Sequence, residues 1–404
     1  MGKVKCLKIS IDKSLKECIE FLLVCFITIT PLNFMVNISN LLLYTLMGLF
    51  LVYLIKGKMI ILDKIIIMWC FLLGFSFLSI LTGGFFEGHA FFASTRAALF
   101  YLLLIFTLKY INLQKVIFNS LKVILILCII SVSYSIILYL FGNIARGIDG
   151  TINYIRIGPL QFVQNVSGMY NDLGYAGIFE NPNTFSYYCW ITICGIVGNI
   201  FGEINIQLKI CLLFSLIGIY LSNSRAGIII VLLIFLFQAY TKANNRFVKV
   251  FFTLLGTFAT LFMLILYFSQ GNTVEINLTG REELWREGIR LIKEHPIFGC
   301  GLFTTSRYLG GGMHNSYLTI LAEIGIVGSV IFFIICINTV IMVRKQYIIF
   351  AKEWKFYYLY VLIYFVYTLV ENTFFNFSGR FIFWITLVIY IEDMYKLKYI
   401  NTSF

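Results

Sequence analysis

Only three histidines occur in the 404-residue chain, and His314 stands in "GGGMHNSYLTILAEIGIVG" (310–328), directly ahead of an apolar helical run. An imidazole in such a place can take a proton from a hydroxyl group. Three arginines stand at similar boundaries between polar turns and apolar runs: Arg225 in "LSNSRAGIII", Arg281 in "LTGREELW" and Arg380 in "LVENTFFNFSGRF". The planar guanidinium fork suits bidentate binding of phosphate oxygens. A histidine base with arginines therefore fits a substrate that offers a hydroxyl to one side and a phosphate-bearing leaving group to the other. No Asp-x-Asp occurs in the chain, and the turn "PLNFMVN" lacks a carboxylate. A magnesium-type oxygen ligand set is thus not readable, and arginine takes the place of a metal in neutralising the leaving group. No metal and no cofactor are expected.

Further polar groups lie at the same kind of boundary. "GIFENPNTFSYY" opens a helix with Glu180, Asn181, Pro182 and Asn183, and Glu371 and Asn372 precede Arg380. Asn315, Thr319 and Glu323 recur at i, i+4 and i+8, a polar stripe that carries Glu323 ~13 Å below the helix mouth. An ionisable residue at that depth is costly in lipid, which marks Glu323 as a functional or pairing group. Gly325 and Gly328 are expected to admit another helix close by. We expect catalytic roles for His314, Arg225, Arg281 and Glu323. Substrate contacts are expected from Arg96, Glu180, Asn181, Asn183, Asn315, Tyr317, Glu371 and Arg380.

The elements that must position these groups are membrane helices. The chain is 60% hydrophobic and 12% charged, more apolar surface than a water-soluble fold can hide. Hydropathy places about twelve spans, near 18–36, 38–55, 64–82, 92–108, 118–141, 177–200, 208–223, 225–241, 248–269, 315–343, 355–371 and 376–394. The expected fold is all-α, one polytopic membrane domain over 1–404 with a helical outer loop at 270–314. The lysine-rich start, "MGKVKCLKISIDKSLKEC", reads as a cytoplasmic leader rather than a cleaved signal. The ten cysteines fall mostly in apolar runs and suggest neither disulfides nor zinc.

The net charge of +12 does not point to nucleic acid, because its distribution follows membrane topology. With the N-terminus inside, 21 Lys and Arg fall inside and 10 outside, in keeping with the positive-inside rule. The cations also separate by kind. Lys293 is the one outer lysine, whereas nine arginines are outer: Arg96, Arg146, Arg156, Arg225, Arg281, Arg286, Arg290, Arg307 and Arg380. Topology needs charge but not a fork, so the arginine bias points to phosphate at the outer surface. In the outer loop, Thr279 and Glu282 have capping-box spacing. The helix that follows should lie along the membrane surface with Leu284, Trp285, Gly288, Ile289 and Ile292 on its buried face, ending at His295-Pro296 and Gly299. The expected reaction is metal-free glycosyl transfer from a lipid pyrophosphate on the outer leaflet.

"GIFENPNTF", "SNSRAG", "GREELW…HPIFGCG", "HNSYLTILAEIGIVG" and "ENTFF" occur in that order over roughly the C-terminal 60% of the chain. In this set the chain resembles the O-antigen polymerase and O-antigen ligase superfamily of bacterial envelope-glycan assembly. The resemblance implies a GT-C-like fold, an undecaprenyl-pyrophosphate-linked oligosaccharide as donor, and transfer to a second glycan. It places the family's essential arginines at Arg225 and Arg281 and its loop histidine at His314. It further implies a location in the bacterial cytoplasmic (inner) membrane with the site facing the outer, periplasmic side, and a chain-length regulator protein as partner.

The leading expectation is a polymerase of O-antigen or capsule, a compact chain with only four prolines. A ligase that transfers the glycan to lipid A core is the first alternative and shares the chemistry. A lipid-linked-oligosaccharide flippase or other transporter is the second. Transporters keep ionisable groups near mid-membrane and often show matching halves, whereas here they gather at one face without a repeat.

Overall fold

The computed structural model describes residues 2–32, 36–55, 64–82, 88–141, 153–157, 160–164, 166–167, 174–179, 181–242, 281–310, 312–374 and 379–401. Helices dominate: α1 (Gly2–Ile29), α2 (Val36–Ile55), α3 (Lys64–Thr82), α4 (Gly88–Leu108), α5 (Leu113–Phe141), α6 (Pro182–Val197), α7 (Ile206–Ser222), α8 (Arg225–Lys242), α9 (Arg281–Glu294), α10 (Thr305–Leu309), α11 (Ser316–Ile349), α12 (Ala351–Tyr367) and α13 (Gly379–Asn401). Each hydropathy run except 248–269 falls on one of them, and 248–269 lies outside the described residues. Among the described residues, Leu113–Ile137, Arg225–Lys242 and Ser316–Ile349 are long and apolar enough to cross a membrane.

The all-α expectation needs one amendment. Between α5 and α6, β1 (Asn153–Ile157) pairs antiparallel with β2 (Leu160–Gln164), and β3 (Val166–Ser167) pairs with β4 (Gly174–Tyr175). This connection carries its own backbone pairing, which a hydropathy reading tuned to long apolar runs does not detect.

Helix starts follow local chemistry. Asn181 caps α6, accepting from the Thr184 amide at 2.8 Å, with Pro182 supplying the fixed φ of a first turn. Asn315 caps α11, accepting from the Tyr317 and Leu318 amides. Asn223 ends α7 in the left-handed conformation, with φ of 50°, so the α7–α8 hairpin turns within two residues.

Helix α6 is buried along almost its whole length and packs against α5, α7, α8 and α12. Helix α11 packs against α3, α9, α12 and α13. Between them lies an aromatic core in which Trp384 stacks on Phe381 at 5.9 Å and meets Trp69 edge-on at 6.3 Å. Ring pairs of this kind contribute about 0.5–1.5 kcal/mol each beyond area burial. In the same core the Tyr187 and Tyr360 hydroxyls hydrogen-bond to each other at 2.8 Å.

Helix α11 is not continuous. Gly325 has φ 61° and ψ −171°, a conformation closed to other residues, and splits the helix in its third turn. The backbone groups released there are taken up by the loop after α9. Cys300 N donates to Ala322 O at 2.8 Å and Gly301 N to Glu323 O at 3.0 Å, while Ile326 N donates to Pro296 O at 3.0 Å. A break at this point is tolerated because protein, rather than lipid, satisfies the freed groups. The expected close neighbour of Gly325 is therefore this loop and not a helix: a Cβ on Gly325 would lie 2.2 Å from Ile297 O. The 326–349 part, ~36 Å long by helical rise, is still long enough for a bilayer core.

Candidate functional site

The centre of the polar end is Glu371, 7% exposed, in the turn after α12. Its carboxylate is approached from three other parts of the chain. Asn183 Nδ2 donates to Oε1 at 2.6 Å, Arg281 Nη2 lies 3.9 Å from the same oxygen, and His314 Nδ1 lies 3.8 Å from Oε2. Arg281 also donates from Nη1 to Val370 O at 3.2 Å, which aims its fork across the α12–α13 turn. His314 keeps 43% of its side chain exposed, so the ring has one side toward Glu371 and another open.

Each of these groups is held by its own element. Ser316 Oγ donates to Glu371 O at 2.7 Å and accepts from Thr373 N at 2.8 Å, and Ser316 N donates to Thr368 O. The first turn of α11 and the turn bearing Glu371 are thereby fixed together. On the other side, Trp285 Nε1 of α9 donates to Met313 O at 2.7 Å, and Gly288 lets α9 close onto the Met313 side chain. His314 itself has φ of 49°, a left-handed backbone that costs a non-glycine residue about 1 kcal/mol. Leu291, Met313 and Ala322 form a small apolar cluster beneath this assembly.

Asn183 reaches a second arginine helix. Its Oδ1 accepts from Ser224 Oγ at 2.9 Å, and Ser224 Oγ accepts from Gly227 N at 3.3 Å in the first turn of α8. The next residue, Arg225, opens α8 with its side chain exposed. Arg281 likewise opens α9, so both arginines stand where first-turn amides and the helix dipole favour an anion. Tyr367 Oη donates to Asn183 O at 3.3 Å and accepts from Arg380 Nη1 at 3.4 Å; Arg380 is buried and lies over the Tyr187 ring.

Residues 210–333 match the family model described as O-antigen ligase. The match supports a likeness of this stretch to the O-antigen polymerase and ligase superfamily. No curated protein matches the chain. The matched stretch contains Arg225, Arg281, His314 and Glu323 but not Asn183, Glu371 or Arg380. It is the fold that adds these three to the superfamily's segment. Apolar helices of spanning length among the described residues agree with a membrane protein, and the match over 210–333 indicates an O-antigen ligase- or polymerase-like function.

The other residues expected from sequence take separate places. Arg96 donates to Tyr44 Oη at 2.8 Å on α2. Asn181 and Asn315 are spent as helix caps. Tyr317 Oη donates to Phe365 O and accepts from Thr368. Glu323, 5% exposed, accepts from Thr305 Oγ1 at 2.6 Å and Thr305 N at 3.4 Å, capping α10. The break at Gly325 comes two residues after Glu323, so the helical rise from Asn315 to Glu323 is kept. Glu180, Arg146 and Thr279 lie outside the described residues.

The α9 face is also rotated from expectation. Gly288 and Leu291 are its buried residues, and Ile289 is exposed, because the helix docks on Met313. Cysteine chemistry has no foothold in this loop: burial pushes the Cys300 thiol up to about 11, which makes it a packing group rather than a nucleophile. Ser224 and Tyr367 were not singled out in the sequence, and Ser316 stood out only as an alternative to Asn315 for the helix cap. Only its adjacency to Arg225 pointed toward Ser224.

Proposed function

We propose that the protein is a polysaccharide polymerase that transfers a growing glycan from undecaprenyl pyrophosphate to a lipid-linked repeat unit, without a metal. What supports this reading is the convergence of Arg281, His314 and Asn183, from three segments of the chain, on the carboxylate of Glu371 in a fourth. Glu371 faces His314 Nδ1, which leaves Nε2 to take the proton from the acceptor hydroxyl. The hydroxyl oxygen then bonds to the anomeric carbon while the carbon–oxygen bond to pyrophosphate breaks. The electron pair leaves with the pyrophosphate, whose charge Arg225 and Arg281 receive. A single displacement of this kind inverts the anomeric centre. The site would face the outer side of the bacterial inner membrane, with a chain-length regulator as partner. The matched description, O-antigen ligase, favours a second reading in which lipid A core is the acceptor and the chemistry is unchanged.

The test uses the purified full chain with a synthetic lipid-pyrophosphate oligosaccharide in EDTA. Wild type should form a ladder of products. His314→Ala should lose about 10²-fold or more, and Arg281→Lys, which keeps charge but not the fork, about 10²-fold. Full activity in His314→Ala removes histidine as the base. Donor consumption only when lipid A core is added identifies the ligase.

A further inference from the structure

We propose that Asn183 is a positioning residue that ties the two arginine-bearing helix starts together through Ser224 and Glu371, rather than a residue that touches substrate. The inference rests on the anion role proposed above for Arg225 and Arg281. A carboxylate only accepts hydrogen bonds, so the Asn183 amide must turn its Nδ2 to Glu371 and its Oδ1 to Ser224. Ser224 must then donate its hydroxyl hydrogen to Asn183 and use a lone pair for Gly227 N. Every hydrogen in the link is thereby assigned, from the first turn of α8 to the carboxylate that faces Arg281 and His314.

The link has the geometry of a spacer. One end is Ser224, 3% exposed and covalently next to Arg225. The other is Glu371, 3.9 Å from Arg281 Nη2. A third bond, from Tyr367 to the Asn183 carbonyl, fixes the backbone of the spacer itself. Asn183 is thus committed on both sides of its amide and at its carbonyl. Its consequence is that α8 and α9, distant in sequence, present their arginines at one set separation. A leaving pyrophosphate is more highly charged than the same group esterified in the donor, so a set spacing between two forks favours the departing form over the bound donor.

The experiment measures the full chain in lipid nanodiscs for wild type, Asn183→Ala, Ser224→Ala and the double variant. Two quantities are read: kcat and KM with the lipid-pyrophosphate oligosaccharide, and the Kd for inorganic pyrophosphate alone. Each single variant should lower kcat by about 10- to 100-fold, leave KM within about threefold, and weaken pyrophosphate by about tenfold. The double variant should be no worse than the poorer single one, because either change breaks the same link. Ser224→Ala removes only a hydroxyl and serves where Asn183→Ala folds poorly. A raised KM at unchanged kcat places Asn183 on substrate and overturns the inference, as do additive losses or unaltered pyrophosphate affinity. A wild type that binds pyrophosphate but transfers nothing defeats the proposed function, while the pyrophosphate measurements still decide the link. A wild type that does not bind pyrophosphate defeats both.

Discussion

At the residue scale, the site is built from side chains that are each caught between a structural bond and an open face. His314 shows this most clearly, with a left-handed backbone, a carboxylate 3.8 Å away and a half-exposed ring. If the imidazole is retained for chemistry, removing it should relieve the fold. His314→Gly is expected to abolish transfer and yet raise stability by about 1 kcal/mol, read as a higher unfolding midpoint in detergent. A lower midpoint would show that the ring holds the loop by its contacts. The types of these residues were legible in the sequence, since a histidine or arginine at the edge of an apolar run is conspicuous. Their pairing was not. Asn183 and Glu371 are 188 positions apart, and no local pattern encodes which polar turn meets which.

At the scale of elements, α9 acts as a clamp on the segment that carries His314. Trp285 holds the Met313 carbonyl, and a Cβ on Gly288 would come within 2.2 Å of Met313 Sδ. Gly288→Val should therefore push Met313 and His314 away from Glu371. Its expected cost is about 1–3 kcal/mol in stability, with a larger loss of kcat than Trp285→Phe, which gives up a single hydrogen bond of about 1 kcal/mol. Thermal unfolding and turnover of the two variants check the order; equal turnover in both would mean that α9 does not set the histidine. The helix itself was visible from its stop at His295-Pro296 and its amphipathic pattern. The face it buries was not, because Ile289 and Leu291 are equally apolar and only docking decides between them. The break in α11 was hidden for a similar reason: a glycine inside an apolar helix reads equally as a packing notch.

For the whole molecule, the arginines and lysines predict the sidedness of the chain. Glu283 at the His314 end and Lys352 at the start of α12 are both exposed. In the proposed orientation, Glu283→Cys should react with a membrane-impermeant maleimide added to spheroplasts, and Lys352→Cys only after lysis. The reverse pattern would place the site in the cytoplasm. Hydropathy located the helices well because bilayer thickness imposes a length that composition must meet. It could say little about the ends of the bundle, where the short strands and the Glu371 cluster depend on contacts between distant turns. The stitch between the Pro296–Gly301 loop and the two halves of α11 has a consequence for how this end opens. The amide hydrogens of Cys300, Gly301, Ile326 and Val327 are all held across it, so loop and helix are bonded to each other at four points. They should exchange with deuterium slowly and at one common rate, so that loop and membrane helix breathe as a single cooperative unit.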